Sequence, residues 1–334
     1  MRPFTYTRAP DVTAAVTAGT VPGAAFLGGG TTLIDLMKLN VMAPTSLVDV
    51  SRLSILAGGA AADAIQDTPQ GLRIAAAARN SDVAAHPLVR QRYPVLSEAL
   101  LSGASPQIRN MATVGGNLLQ RTRCAYFRDA AEPACNKRAP NSGCAAMGGW
   151  SRMHAIIGAS DRCIAAHPSD MNVALAVLDA GVYTRSPKGE RSIPLADFHT
   201  EPGQHPEVES VLEPGELIVG VTLPVTPFAA RSAYVKVRDR AAFAFALASA
   251  AAALALEGGQ IRHARVAIGG ASTKPWRCRD VENALAGHAP SRALFQQAAA
   301  LAVKGARTTP DNAFKVALVQ RTIVRALERA LEAA

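Results

Sequence analysis

The sequence predicts an α+β fold in two domains, and three observations carry the prediction. Short strands and helices alternate up to about residue 226. Within that part, consecutive glycines stand beside small hydroxyl residues at 28–30 and at 115–116. From about residue 230 the pattern changes to three strands followed by three helices. The boundaries drawn on this basis are 1–226 and 227–334, with a cysteine-bearing loop inserted into the first domain at about 119–166. A chain of 334 residues is long enough for two cores, and 49% hydrophobic against 18% charged residues excludes a disordered or fibrous class.

The first glycine element is a short apolar strand at 24–27 that runs into Gly28, Gly29 and Gly30. Thr31 or Thr32 then stands where an N-cap belongs, before Leu33, Ile34, Leu36 and Met37 at helical spacing. Consecutive glycines let backbone N–H groups approach a ligand, and a helix N-terminus adds positive potential, so the element suits a pyrophosphate. The P-loop ending is absent, and Leu33 stands where a Rossmann loop would have its third glycine, so a plain turn stays open as the alternative. Strands are expected at 47–50 and 72–77, with a short helix capped by Asn80 or Ser81 and a helix at 94–101 opened by Pro94. One turn of helix at 105–110 delivers the chain to Thr113-Val-Gly-Gly-Asn117, where glycines again imply close backbone approach to a ligand.

Four of the five cysteines follow, at Cys124, Cys135, Cys144 and Cys163, with 10, 8 and 18 residues between them. Their linkers are rich in Gly, Pro, Asn and Ala and show little apolar periodicity, so something other than a core has to hold the loop. Four thiolates around a metal centre would do so, and four is the number that a [4Fe-4S] cluster takes. Residues 119–163 carry seven Lys or Arg against three acidic residues, and such donors offset the negative charge of a thiolate-bound cluster. Structural zinc, two disulfides and unrelated buried thiols stay open beside it. The absence of Cys-x-x-Cys pairs weighs against zinc, and the absence of a secretory leader against disulfides. Cys278 lies far from the other four and is expected to be a buried or partly exposed thiol.

Beyond the loop, Ser169 or Asp170 caps a helix at 171–178, and 182–184 pairs with 191–193 across the Pro187-Lys-Gly189 turn. A turn and strand at 213–224 close the first domain. The second opens with strands at 232–238, 245–256 and 261–268, the last two joined at Gly258-Gly259. Helices follow at 280–286, 292–303 and 312–333, the last with Phe314, Leu318, Ile323, Leu327 and Leu331 on one face.

The apolar stretch 241–256 is mostly alanine and shorter than the roughly 20 residues a bilayer span needs, so no membrane insertion is expected. Nor is nucleic acid an expected partner, despite a formal charge of +9: aromatics are only 5% and no basic helix is evident. The first residues show neither an apolar signal run nor twin arginines, so no export signal of the chain's own is expected.

As an ordered set, Leu27-Gly-Gly-Gly-Thr-Thr-Leu33, Ile108-Arg-Asn-Met-Ala-Thr-Val-Gly-Gly-Asn117, Ser169-Asp170, Gly215-Glu-Leu-Ile218 with Leu223-Pro224, and Tyr234-Val-Lys236 carry a family resemblance. Over nearly its whole length the chain resembles the FAD-binding subunit of the molybdenum hydroxylases, the xanthine dehydrogenase and aldehyde oxidoreductase family. In many relatives the Gly-Gly-Asn strand and the Ser-Asp turn are close neighbours, whereas here the cysteine loop separates them. With Arg123-Cys-Ala-Tyr-Phe-Arg128, Cys135-Asn-Lys-Arg138 and Cys163-Ile-Ala-Ala-His167, it is similar to the [4Fe-4S]-bearing version found in bacterial periplasmic aldehyde oxidoreductase.

The resemblance implies a PCMH-type FAD-binding domain of two α/β subdomains, plus a smaller C-terminal α+β domain with a three-stranded antiparallel sheet and helices. It implies an oxidoreductase of three subunits. A molybdenum cofactor-binding large subunit oxidises an aldehyde, a [2Fe-2S] small subunit relays electrons, and this chain receives them on FAD for an external electron acceptor. Phe26, Leu27, Gly28, Gly29, Gly30, Thr31 and Thr32 would surround the FAD pyrophosphate, with Thr113, Gly116 and Asn117 beside it. Asp170 falls on the adenosine side, and Ser105, Ile218 and Lys236 near the cofactor. Cys124, Cys135, Cys144 and Cys163 become the [4Fe-4S] ligands. No catalytic residue is expected, because none of the seven histidines has a carboxylate partner at recognisable spacing. The compartment would be the periplasm by co-export with a partner subunit, or the cytoplasm. Two alternatives stay open: a subunit of a xanthine dehydrogenase-like or other molybdenum hydroxylase with a different substrate, and a cluster-bearing scaffold without flavin chemistry.

Overall fold

The computed structural model describes residues 1–58 and 63–333, so Ala334, the end of the expected second domain, lies outside them. Among the described residues three sheets organise the chain. The first is parallel, with Thr5–Arg8 and Ala24–Leu27 flanking Ser46–Asp49. Parallel neighbours need crossovers, which helices Val12–Gly19 and Leu33–Lys38 supply. Asp11 caps the first helix, accepting from the Ala14 N–H at 2.8 Å. Strand Ala24–Leu27 lies where the sequence places it, and Gly30 follows with φ of +74°, a conformation that a side chain would oppose. Thr32 stands at the expected N-cap position and its carbonyl accepts from the Leu36 N–H at 3.1 Å, but its side chain makes no cap bond.

The second sheet is antiparallel throughout, in the order Ile65–Thr68, Gly71–Ala75, Leu217–Pro224, Gly181–Ser186, Gly189–Pro194. Leu217–Pro224 enters at the centre, so the chain after the cysteine loop closes the sheet begun before it. Asn80 is no cap but the first residue of helix Asn80–Ala85. It is buried, and its backbone N–H is satisfied from outside by the Ala112 carbonyl at 2.9 Å. The Gly-Gly-Asn segment, expected as a strand, is the short helix Val114–Leu118. Thr113 Oγ1 caps it by accepting from the Gly116 N–H at 3.2 Å, and the N–H groups of Val114 and Gly115 bond to the carbonyls of Ala78 and Ala76. Helix Asp170–Val177 is capped by Ser169 and buried along its whole length, because Pro94–Ser102 and the third sheet both pack on it.

The third sheet contains the expected Ser232–Val237, Ala248–Glu257 and Gln260–Gly269, with Trp276–Arg277 as a two-residue fourth strand at the edge. Both faces are buried. Ala248, Ala250 and Ala252 face the core under helix Lys315–Glu332, while Ala251 and Ala267 belong to the first domain's core. Alanine on both faces lets helices approach the sheet closely from either side. On Lys315–Glu332 the expected face is correct at Ile323 and Leu327, both fully buried. Phe314 precedes the helix and is 41% exposed, whereas Lys315 beside it is 0% exposed.

The cysteine loop has two single-turn helices, Ala125–Arg128 and Ala145–Gly148, and an isolated bridge pairing Cys135 with Cys144. Side chains fasten it. Arg128 and Arg123 reach Asp35 at 2.9 and 3.2 Å, and Arg138 donates to the carbonyls of Tyr126 and Phe127. Asn136 accepts from the Gly143 N–H and donates to the Arg162 carbonyl, both at 2.9 Å. Phe127 and Cys135 pack on Leu36, so the loop is seated on the helix that follows the glycine turn.

Candidate cofactor sites

The two glycine segments meet. A Cβ on Gly29 would stand 1.9 Å from the Met111 carbonyl oxygen, and a Cβ on Gly28 or Gly116 would stand 3.3 or 3.1 Å from Thr113 Oγ1. Glycine at these positions brings two backbones together with Thr113 between them. Cavities of about 410 and 480 Å³ open on the two sides of this seam and share Thr31, Thr32, Gly116 and Gln120. Of the expected FAD residues, Phe26, Gly28, Gly29, Gly30 and Thr113 line the first cavity, and Ser105, Asn117, Asp170 and Lys236 line the second. Leu27 and Ile218 line neither. Leu27 Cδ1 sits beneath the glycine turn, 3.5 Å from where a Gly30 Cβ would be. Ile218 is carried into the core by the central strand of the five-stranded sheet, where its backbone pairs with Thr184.

Polar groups fix both cavities. In the second, the buried Asp170 carboxylate accepts from Lys236 Nζ at 2.7 Å and from the Tyr234 hydroxyl, and Lys236 also donates to the Ser102 carbonyl at 3.1 Å. Burial and the Asp170 charge hold the Tyr234 phenol well above its ordinary range. Ser169 donates to Asn117 Oδ1 at 2.7 Å, and so joins the Ser-Asp turn to the Gly-Gly-Asn helix across the inserted loop. In the first cavity Glu209 holds Arg121 and Lys137. Burial would raise its carboxyl, but the Lys137 and Arg121 charges outweigh that and hold it below its usual range.

His167 and His199 line the first cavity, and the fully buried Asn172 behind them escaped the sequence reading. Asn172 lies between His167 and His199, donating to His167 Nε2 at 2.9 Å, while His199 Nε2 lies 2.9 Å from the Leu118 carbonyl oxygen. Burial pushes both imidazoles down, His199 to about 4, so they are neutral. An asparagine within the otherwise apolar 171–178 pattern was the available signal. One histidine does have a carboxylate partner: His205 meets Glu207 at 3.1 Å, two residues on. This pair is on the surface with His205 78% exposed, and it faces no nucleophile.

Cys124, Cys135, Cys144 and Cys163 line one small pocket together with His154, and all are free thiols. Cys278 is buried in the core of the second domain. A backbone N–H points at one of the sulfurs: Ala165 donates to Cys163 Sγ at 3.4 Å. His154 Nε2 lies 3.1 Å from Cys124 Sγ. Burial pushes the Cys124 thiol up to about 12 and raises Cys144 and Cys163 as well. Among the described residues no three His, Cys, Asp or Glu side chains converge as a single-ion site. Cys163, Ala165 and Lys137 line this pocket and the first cavity alike, so the two share a wall.

Residues 2–226 match the family described as the FAD binding domain in molybdopterin dehydrogenase, and 232–330 match the CO dehydrogenase flavoprotein C-terminal domain. The chain belongs to the family of FAD-binding subunits of the molybdenum hydroxylases, whose members are oxidoreductase subunits. It is 50% identical over 333 residues to the aldehyde oxidoreductase FAD-binding subunit PaoB of Escherichia coli (strain K12), with 99% of each chain covered. It is 28% identical to the 6-hydroxypseudooxynicotine dehydrogenase complex subunit alpha of Paenarthrobacter nicotinovorans, over 92% of this chain and 88% of that one. In fold it is similar to a carbon monoxide dehydrogenase chain from Hydrogenophaga pseudoflava, with a TM-score of 0.76 at 24% identity, covering 100% of this chain and 99% of that one. Among the described residues no helix is long and apolar enough to cross a membrane.

Proposed function

We propose that this chain is the FAD and [4Fe-4S] electron-transfer subunit of a molybdenum-dependent aldehyde oxidoreductase. Its partners are a molybdenum cofactor-binding large subunit and a [2Fe-2S] small subunit, and it delivers electrons to an external acceptor. The observation that carries this reading is the shared wall: Cys163 lines both the four-thiol pocket and a cavity opening at the glycine seam. FAD supplies chemistry that takes electrons singly or in pairs, and a cluster supplies one-electron chemistry, so the protein's part is binding, orientation and electrostatics.

The seam fits a dinucleotide, with the pyrophosphate at Gly28, Gly29, Gly30, Thr31 and Thr32 opposite Thr113 and Gly116, and one half of the molecule in each cavity. Phe26, Ser105, Asn117, Asp170 and Lys236 then wall those halves. Leu27 and Ile218 support the wall from behind.

The thiol pocket fits a cluster by the chemistry of its donors. Burial holds Cys124, Cys144 and Cys163 as thiols on their own, so a metal centre would have to ionise them, and the Ala165 N–H aimed at Cys163 Sγ would stabilise the thiolate that results. Four thiols lining one pocket are the number of ligands that a [4Fe-4S] cluster takes. Substrate oxidation falls to the molybdenum cofactor-binding partner, while His167 and His199 are bonded within the wall, to Asn172 and the Leu118 carbonyl.

The purified chain should give no turnover with an aldehyde and a dye acceptor. Adding the molybdenum and [2Fe-2S] subunits should start turnover, and removing FAD should stop it. Turnover by the isolated chain would contradict the relay assignment. We assign the compartment to that of an exported partner. Fractionation with and without the partner gene tests this, and export of the chain alone would contradict it.

A further inference from the structure

Lys315 is 0% exposed and is the first residue of an 18-residue helix. Both circumstances oppose a cation, because burial strips its water and a helix N-terminus already carries positive potential. Its Nζ donates to two carbonyls, His154 O at 2.9 Å and Gly270 O at 2.8 Å. No carboxylate pairs with it among the described residues, and the other charge acting on it is again a cation, Arg152. Burial above all, with Arg152 in addition, pushes this amine down to about 7. Buried charges are ordinarily paired or bound to a counter-ion, so this one calls for an anion that the described residues do not supply.

The thiol pocket lies on the far side of His154. The residue whose carbonyl holds Lys315 also places its ring Nε2 3.1 Å from Cys124 Sγ, while its Nδ1 has no partner. With the proton on Nε2, the ring donates to sulfur, so a single residue spans the distance between the buried cation and the cysteines. We infer that Lys315 is the counter-charge of the cysteine-bound cluster, a cation supplied by the second domain that acts across His154 to offset thiolate charge and raise the cluster's potential. The ammonium then gains the anion it lacks, and the last helix of the chain becomes part of the cluster's electrostatic environment. The same arrangement makes Lys315 unfavourable whenever the pocket is empty of metal.

This inference rests on the cluster reading above, and the test separates the two. Iron, zinc and sulfide analysis of the wild-type protein comes first: protein without iron removes the cluster reading and the inference with it. The second measurement is the cluster's midpoint potential, by a dye-mediated titration followed by EPR, in wild type, Lys315→Gln and Lys315→Met, with bound FAD as the check on folding. Gln keeps donors for the two carbonyls without the charge, so it decides the matter even if the Met variant does not fold. Both neutral variants should shift the potential to more negative values, and the metal-free Lys315→Met protein should melt at a higher temperature than metal-free wild type. An iron-loaded Lys315→Gln protein with the wild-type potential would overturn the inference and leave the cluster reading standing.

Discussion

Gly29→Ala tests the seam at its tightest point. The added Cβ would stand 1.9 Å from the Met111 carbonyl oxygen and 2.9 Å from its carbon. Carbon and carbonyl oxygen rest no closer than about 3.3 Å, so the two segments must part by about 1.4 Å. The obstacle is backbone, so no rotamer change relieves it. Overpacking of this kind costs about 1–3 kcal/mol, and at about 1.4 kcal/mol per tenfold the expected loss of FAD affinity is about 5- to 140-fold. Gly148→Ala is the control, since its Cβ would meet nothing within 4 Å and the residue lines neither cavity. Flavin content after gel filtration and a fluorescence titration with FAD measure the effect. A Gly29→Ala protein that binds FAD as tightly as Gly148→Ala would refute the reasoning.

Asp170→Asn leaves Lys236 charged and buried, so urea unfolding should lose about 3–5 kcal/mol; a loss below about 1 kcal/mol would contradict the buried pair. Glu216 is held down to about 2 from 4.5, since hydrogen bonds from Arg191 and Thr184 outweigh the upward push of burial. A lowered folded pKa means that its contribution is full above about 4.5 and is lost as the pH falls toward 2, and Glu216→Gln should flatten that part of the stability profile. Serine at any one of Cys124, Cys135, Cys144 or Cys163 should lose or degrade the cluster, while Cys278→Ser, in a separate core, should keep the wild-type iron content.

Local chemistry made much of the fold legible. Ala24–Leu27, and Ile323 and Leu327 on the last helix, follow from short-range patterns in apolar spacing. The misses depend on partners distant in the chain. Trp276–Arg277 is a strand only because Gln260–Gly269 offers it an edge, and the Gly-Gly-Asn segment is helical because Thr113 caps it while Ala76 and Ala78 hold its first N–H groups. Lys315 was not among the residues expected to be buried on the last helix, and its acceptors are 161 and 45 residues away. Ile218 shows the converse: the strand was found, but which residues of a fully buried central strand meet a cavity depends on what packs across it. The thiols were legible as a set, whereas His154 beside Cys124 had no pattern to mark it.

Simultaneous flavin and metal analysis of the purified chain, with its visible spectrum, tests the central claim most directly. The account predicts one FAD released on denaturation, together with about four irons per chain and no stoichiometric zinc. One zinc in place of iron, or iron without flavin, would contradict it.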